Sequence, residues 1–479
     1  MEILGRCGGD SVQGERLSLK TKIGYGLGDL YGGGAFIIVG TYYLHFLTDV
    51  VRITPVLAGL IIMISKIWDA ISDPLMGIIS DRTRTRFGRR RPYFLMGIPL
   101  IFISFWLLWY PVGFAQEWQR FAYMLFSYLF FVTVITMVMI PYNALAPELT
   151  LDYNERTSLT AFRMFFSMLS SVICAVLPLE IVKRFDSPKA GYMAMGMFFG
   201  AFFAIPFLFT FLATRERKEF RQQVFKFSFR EFLEPFRNKT FVYILLMYLF
   251  SFLTMDVIMS VLIYYTTYYL GKGNITNLAL GTLLIVEIAF IPFWSFVAKK
   301  YGKRVAFLSS VMVWIVAMFY SLTITPASST LVIYLFAAFS GIGTGGVVIT
   351  IYSMFADVPD VDELKSGQRR EGIYSGLFTF MRKLSSAVGL FLVSSIISAA
   401  GYRPGQEQSE TFLLVLRFVF AFLPVLLLTI ALLFALKYPL TRQMHDTLKK
   451  ILQIKRQNLQ LDEELKREEE MLKVKLLGE

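Results

Sequence analysis

At 479 residues, 55% of them hydrophobic and only 17% charged, the chain cannot clothe its surface in polar groups, which excludes an ordinary soluble globular protein. Phenylalanine (47) and tyrosine (24) are abundant, as suits helix faces against acyl chains and aromatic belts at both interfaces. The formal charge of +13 gathers in particular loops, a pattern of membrane topology rather than of nucleic-acid binding, so no nucleic acid is expected as a partner.

Residues 1–22 form a polar N-terminal segment without a cleavable signal, so the first apolar run, 23–49, is expected to insert the chain. Further runs long enough to span a bilayer follow at 55–80, 93–112, 119–142, 159–182 and 191–213, then at 240–268, 278–298, 304–325, 330–355, 374–400 and 411–437. Twelve spans place both termini on one side. The loops after even-numbered spans carry about 22 Lys and Arg against about 7 after odd-numbered ones, which makes that side cytoplasmic. Residues 214–239 form the longest loop on that side and read as a basic, partly amphipathic linker on the inner membrane surface. The linker divides the chain into six-helix bundles at 23–213 and 240–438. Residues 439–479 are a charged cytoplasmic tail in which Leu448, Ile451, Leu459, Leu465 and Leu472 recur only roughly as heptads, favouring a solvated or membrane-surface helix over a coiled coil.

Repeated punctuation supports a duplicated unit. Phe87-Gly88-Arg89-Arg90 after span 2 matches Tyr301-Gly302-Lys303-Arg304 after span 8, and the loops after spans 4 and 10 are both rich in acids and Arg. The fold class expected is an all-α membrane protein of two pseudo-symmetric six-helix bundles, the architecture of transporters that rock one bundle against the other.

Charges inside spans cost on the order of 3 kcal/mol each, and so mark function. In span 2, Lys66, Asp69 and Asp73 share one helix face. Carboxylates one turn apart repel unless a cation or proton sits between them, the chemistry of a coupling-ion site, with Ser72 and Thr136 as neutral oxygen ligands. Alternatively, Lys66 neutralises one acid and the other lies near the cytoplasmic end. Asp29 and Arg163 are candidates for charge-assisted contacts to a polar substrate. Asp256, Glu287, Arg382 and Lys383 are further intramembrane charges, and His45 reads as interfacial. Gly341-Ile342-Gly343-Thr344-Gly345-Gly346 matches a dinucleotide-binding pattern, but no strand precedes it; close helix approach is the expected role, as for Gly32-Gly33-Gly34. Cys7 and Cys174 imply no disulfide framework, and no nucleophile constellation points to an enzyme.

The stretch Trp68 to Pro92, WDAISDPLMGIISDRTRTRFGRRRP, resembles the glycoside-pentoside-hexuronide cation symporters, the melibiose permease group of the major facilitator superfamily. Tyr25-Gly26-Leu27-Gly28-Asp29, PYNALAPELTLDYNERTSLTAFR from Pro141 to Arg163 and DELKSGQRREG from Asp362 to Gly372 extend the resemblance over all twelve spans. The resemblance implies that Asp69 and Asp73 bind the coupling cation, Na⁺ or H⁺, with Thr136 contributing, and that Ser72 stands where the melibiose permease has asparagine. Arg163 and Lys383 match basic residues of the central cavity, and Asp81, Arg82, Glu148, Arg156, Glu363 and Arg370 match an inner gate whose ion pairs form in the outward-open state. The acids that grip a galactoside correspond here to Gly33 and Met139, and its stacking tryptophan to Asn143. Asp29 is then the substitute, with Tyr25 and Asn143 nearby. The implied activity is cation-coupled uptake of a sugar or sugar derivative across the inner or plasma membrane, without a cofactor. Transport of an amphipathic lipid such as a lysophospholipid is the alternative, and a non-transporting sensor or scaffold working through the tail is a third. Expected partners are the small-molecule substrate, a monovalent cation and membrane lipids.

Overall fold

The computed structural model describes residues 16–150, 153–216, 234–366, 370–457 and 462–477. Most of the 214–239 linker therefore lies outside the described residues, as do Cys7 and Leu459. Among the described residues the chain is all-α, with twelve helices long and apolar enough to cross a membrane. These are Leu19–Val50, Pro55–Arg82, Arg91–Leu108, Glu117–Ala146, Ser158–Val182 and Pro188–Ala213, then Lys239–Tyr269, Gly273–Tyr301, Lys303–Ser321, Thr330–Phe355, Gly372–Ala399 and Glu410–Lys437, numbered spans 1 to 12. Local chemistry sets several boundaries. Ser18, Asn238 and Ser409 accept a backbone N–H at the starts of spans 1, 7 and 12, and prolines occupy the first turns of spans 2, 3 and 6. Outward-facing Phe126, Leu212, Leu331 and Leu414 stay exposed because acyl chains are their solvent.

The halves meet by paired spans: 2 along 11, 5 along 8, and 1 along 7. The repeat expected from the loops recurs in backbone geometry. Spans 1 and 7 each end in one π-helical turn, Phe46–Val50 and Tyr265–Tyr269, closed by matching bonds from Val51 N–H to the Phe46 carbonyl and from Leu270 N–H to the Tyr265 carbonyl. Next in each comes a left-handed residue, Gly271 (φ 65°) in the second half but Arg52 (φ 63°) in the first. Only glycine takes that conformation without cost, and Arg52 is exposed, so it gains no packing in return. Arg52→Gly is expected to raise stability by about 0.5–1 kcal/mol, seen as a higher melting temperature; an unchanged or lower one would show that the turn is unstrained.

The tail differs from the expected solvated or membrane-surface helix. Helix Arg442–Arg456, capped by Thr441, and helix Glu463–Leu477 pack on each other and on the short helix Val358–Ser366 that follows span 10. Leu448, Ile451, Leu452, Leu472, Leu476 and Leu477 are buried, so the apolar face finds its partner in the second half of the protein rather than in lipid or water. Burial alone would raise the Glu469 carboxyl, but hydrogen bonds from Lys455 (2.7 Å) and then Lys473 outweigh it and hold the group below its usual range. Arg456 pairs with Glu363, and Thr240 Oγ1, in the first turn of span 7, donates to the Leu476 carbonyl at 2.9 Å.

Candidate functional site

Asp69 and Asp73 lie on the inner face of span 2, one turn apart, just before Pro74, whose ring removes a backbone hydrogen bond from the helix at this point. Thr136 of span 4 faces both acids: its Oγ1 is 3.3 Å from Asp69 Oδ1 and 3.0 Å from Asp73 Oδ1. Ser72 Oγ donates to the Asp69 carbonyl (3.2 Å) and reaches Thr136 Oγ1 (3.3 Å). The charge between the acids belongs to Lys383 of span 11, whose Nζ is 2.8 Å from Asp69 Oδ2 and 2.5 Å from Asp73 Oδ2. The tethered ammonium thus sits between the two acids, and it comes from the opposite half of the protein.

This arrangement changes two readings. Lys66 pairs with neither acid; its Nζ lies 4.9 Å from the centre of the Phe36 ring. Lys383, read as a substrate contact, instead neutralises the acid pair. Beside it on span 11, Arg382 makes a two-pronged bond to Asp256 of span 7, at 2.6 and 2.8 Å.

The substrate-contact candidates of the first half separate. Asp29 and Arg163 form one ion pair between spans 1 and 5, with Arg163 Nε 3.3 Å from Asp29 Oδ1 and the guanidinium 5.5 Å from the Tyr142 ring centre. Tyr25 is wholly buried, stacked on Tyr142 at 4.6 Å and exchanging hydroxyl-to-carbonyl hydrogen bonds with it. It ties span 1 to span 4, enclosed by that packing rather than open to a cavity. Asn143 is exposed. At Gly33 an added Cβ would lie 2.4 Å from Ser167 Oγ and 2.6 Å from its carbonyl, so an acidic side chain there is excluded by the approach of spans 1 and 5. Gly345 does the same for spans 8 and 10, where a Cβ would meet the Glu287 carbonyl at 2.6 Å. Glu287 itself accepts a 2.9 Å bond from Thr344 Oγ1.

The gate candidates gather within each half. On the side that carries the termini, Arg90 bridges Asp81 (2.5 Å) and Glu148 (3.2 Å), Arg89 pairs with Glu148 (2.6 Å), and the Arg89, Arg90 and Arg91 backbone N–H groups all donate to Glu216. Arg156 donates to the Thr150 carbonyl at 2.8 Å, and Arg82 is exposed. In the second half Arg370 pairs with Asp362 (2.7 Å) and with Glu234. Hydrogen bonding to Asp362, against partial burial and with help from Glu234, pushes the Arg370 guanidinium further above its ordinary value.

Sequence reasoning missed the cluster that joins the halves on the opposite face. Asp49, ending span 1, accepts from Tyr402 (2.6 Å) and from Tyr268. Thr48 Oγ1 lies 2.7 Å from Tyr264 OH, and Asn277 Nδ2 donates to the Val176 carbonyl at 3.1 Å. Burial, then the neighbouring Tyr264 and Asp49, push the Tyr402 phenol up from its ordinary value, so it remains a donor. These contacts tie the halves together on the face away from the termini. The acid at the end of span 1 was the one available signal, and nothing in its spacing named its tyrosine partners. His45 lies beside this cluster, 3.7 Å from Asp49.

Charged groups thus pair inside the spans of each half, Asp29 with Arg163 and Asp256 with Arg382, and one cluster, Asp69 and Asp73 with Lys383, bridges the halves. A profile of the family described as MFS/sugar transport protein matches residues 24–442. An uncharacterized symporter of Synechocystis is 29% identical, covering 94% of this chain and 99% of that protein. The isoprimeverose transporter of Lactiplantibacillus pentosus is 28% identical over 86% and 88% of the two chains, and the sodium-dependent lysophosphatidylcholine symporter 1 of Xenopus tropicalis is 25% identical over 92% and 91%. Among solved structures, a D-xylose-proton symporter superposes with a TM-score of 0.64 at 14% identity, covering 88% of this chain and 97% of the other, a likeness of fold. With twelve spans, a matching profile over most of its length and symporters as relatives, the chain belongs to the MFS/sugar transport family, among the glycoside-pentoside-hexuronide type of cation symporters.

Proposed function

We propose that the protein couples entry of Na⁺ or H⁺ to uptake of a sugar or sugar derivative by alternating access. The observation that carries the reading is the Lys383 bridge: two acids of one half held by an ammonium of the other. A cation entering between Asp69 and Asp73, with Ser72 and Thr136 as further oxygen ligands, displaces Lys383 and releases a tie between the halves. The ion then shifts the conformational equilibrium by its differential affinity for the bridged and unbridged states. Asp29–Arg163 and Asp256–Arg382 supply the charged lining of the path, and Asp81, Arg82, Glu148, Arg156, Glu363 and Arg370 regroup across the halves to close the terminal side when the opposite face opens. Both termini and the basic loops lie in the cytoplasm, with the bundles 23–213 and 240–438 as the rocking units and the protein in the inner or plasma membrane.

A second reading has its own support. The second half contains a small apolar cavity lined by Met255, Met259, Leu280, Trp314, Met318 and Phe336 among others. Its lining is apolar, the chemistry an acyl chain would need if these side chains moved apart, and a relative is named for lysophosphatidylcholine.

The test is flux in proteoliposomes with an imposed Na⁺ or pH gradient, using sugars, uronates and lysolipids as solutes. Asp69→Asn with Asp73→Asn is expected to abolish gradient-driven accumulation, by at least ~100-fold, while solute exchange at equal concentrations persists. Accumulation undiminished in that double variant would overturn cation coupling at these acids.

A further inference from the structure

We infer that Lys66 is the receptor for a negatively charged group on the transported molecule: a carboxylate, sulfonate or phosphate. The inference rests on the symport reading and narrows the substrate class within it. Lys66 projects from span 2 into the same inter-half region as the acid pair, where its charged neighbours are Asp69 and Lys383 together with Asp256 and Arg382 of the second half. Each of those neighbours is committed elsewhere, Lys383 to both span-2 acids and Arg382 to Asp256 through two bonds. Among the described residues Lys66 has no carboxylate within ion-pair distance and no hydrogen-bond acceptor; its ammonium lies over the Phe36 ring, itself more than a third exposed.

An ammonium midway along a membrane span without an acceptor is costly, and a cation–π contact offsets only part of that cost. No helix-to-helix pairing accounts for it. A ligand that brings an acceptor with charge does, because charge-assisted hydrogen bonds are strongest where water is excluded.

Charge balance points the same way. Lys66, Lys383 and Arg382 against Asp69, Asp73 and Asp256 make a neutral cluster. Entry of one coupling cation leaves the cluster with one excess positive charge and frees Lys383 from the acids. A mono-anion at Lys66 restores neutrality, so each species lowers the cost of admitting the other, which is the electrostatic content of coupling. A neutral sugar would leave that excess charge standing.

The test uses full-length purified protein and matched probes: glucose, glucuronate and glucose 6-phosphate in one arm, and a monoacylglycerol, the corresponding lysophosphatidate and lysophosphatidylcholine in the other. Thermal stabilisation is read in NaCl and in choline chloride, each at two pH values, for the wild type, Lys66→Gln and Lys66→Arg. At least one anionic or phosphate-bearing probe is expected to stabilise the wild type more than its neutral counterpart. Lys66→Gln should weaken that probe about 10- to 100-fold, and Lys66→Arg should retain most of the affinity. Without ligand, Lys66→Gln should melt no lower than the wild type, since no internal partner is lost; a structural lysine would do the opposite. The arm that responds decides between a sugar acid and a lysolipid headgroup. Preference for the neutral probe, equal binding by Lys66→Gln, or no Lys66-dependent response to any anion overturns the inference. A Lys66-dependent anion response that ignores Na⁺ and pH alike would instead remove cation coupling and leave the anion site standing.

Discussion

Lys383→Met is expected to turn a weak dependence of stability on Na⁺ into a steep one. In the wild type the ammonium sits 2.8 and 2.5 Å from the two acids and satisfies them without any external ion. Its removal strands two carboxylates one turn apart beside a single threonine hydroxyl, and breaking a buried ion pair in this way typically costs about 3–5 kcal/mol. A bound cation then returns stability by mass action, about 2.7 kcal/mol at a concentration 100 times its dissociation constant. Thermal unfolding of wild type and variant across a Na⁺ titration, with choline as the control cation, reads this directly. If protons are the coupling ion, the variant recovers on acidification instead, because protonation removes the repulsion. Identical ion and pH responses in the two proteins would mean that Lys383 does not compete for the cation site.

The second large effect lies at Asp256 and Arg382. Their two-pronged bond at 2.6 and 2.8 Å joins spans 7 and 11 within the second half. Arg382→Met or Asp256→Leu alone leaves an uncompensated charge and is expected to cost about 3–5 kcal/mol. Replacing both with apolar residues removes both desolvation penalties, so the double variant should recover most of the loss. Unfolding measured around the full cycle checks this, and additive losses in the double variant would show that the two residues do not act as a pair. Transport by the stable double variant reports separately on whether the pair lines the path. Removing Asp256 with Arg382 leaves the central cluster neutral, so the demand for an anion at Lys66 should survive.

Much of the architecture was legible because the bilayer imposes long apolar runs, and those runs mark the twelve spans to within a few residues at most ends. The shared face of Asp69, Ser72 and Asp73 was legible because helical periodicity is local. The cation between the acids was not, because Lys383 and Asp73 are 310 positions apart and Lys66 lies within one turn of Asp69. A periodicity argument favours the near lysine; packing of span 2 along span 11 delivers the far one. Tyr25 followed the same logic: a polar ring beside Asp29 reads as a contact for a ligand until its partner Tyr142 is seen stacked upon it. The tail read as solvated because most of its residues are charged, yet one apolar face suffices when a complementary surface is at hand. Arg52 in the left-handed region leaves no trace in composition at all.

The bond from Thr240 to the carbonyl of Leu476 spans 236 residues. Ribosomes add on the order of 5–20 residues per second, so the start of span 7 waits tens of seconds for the segment that covers it. The first half waits longer still, Asp73 for Lys383 across 310 residues and Asp49 for Tyr402 across 353. Neither half can therefore finish maturing during synthesis: the acids of the first wait for span 11 and the loop beyond it, and the start of the second waits for the last helix to emerge.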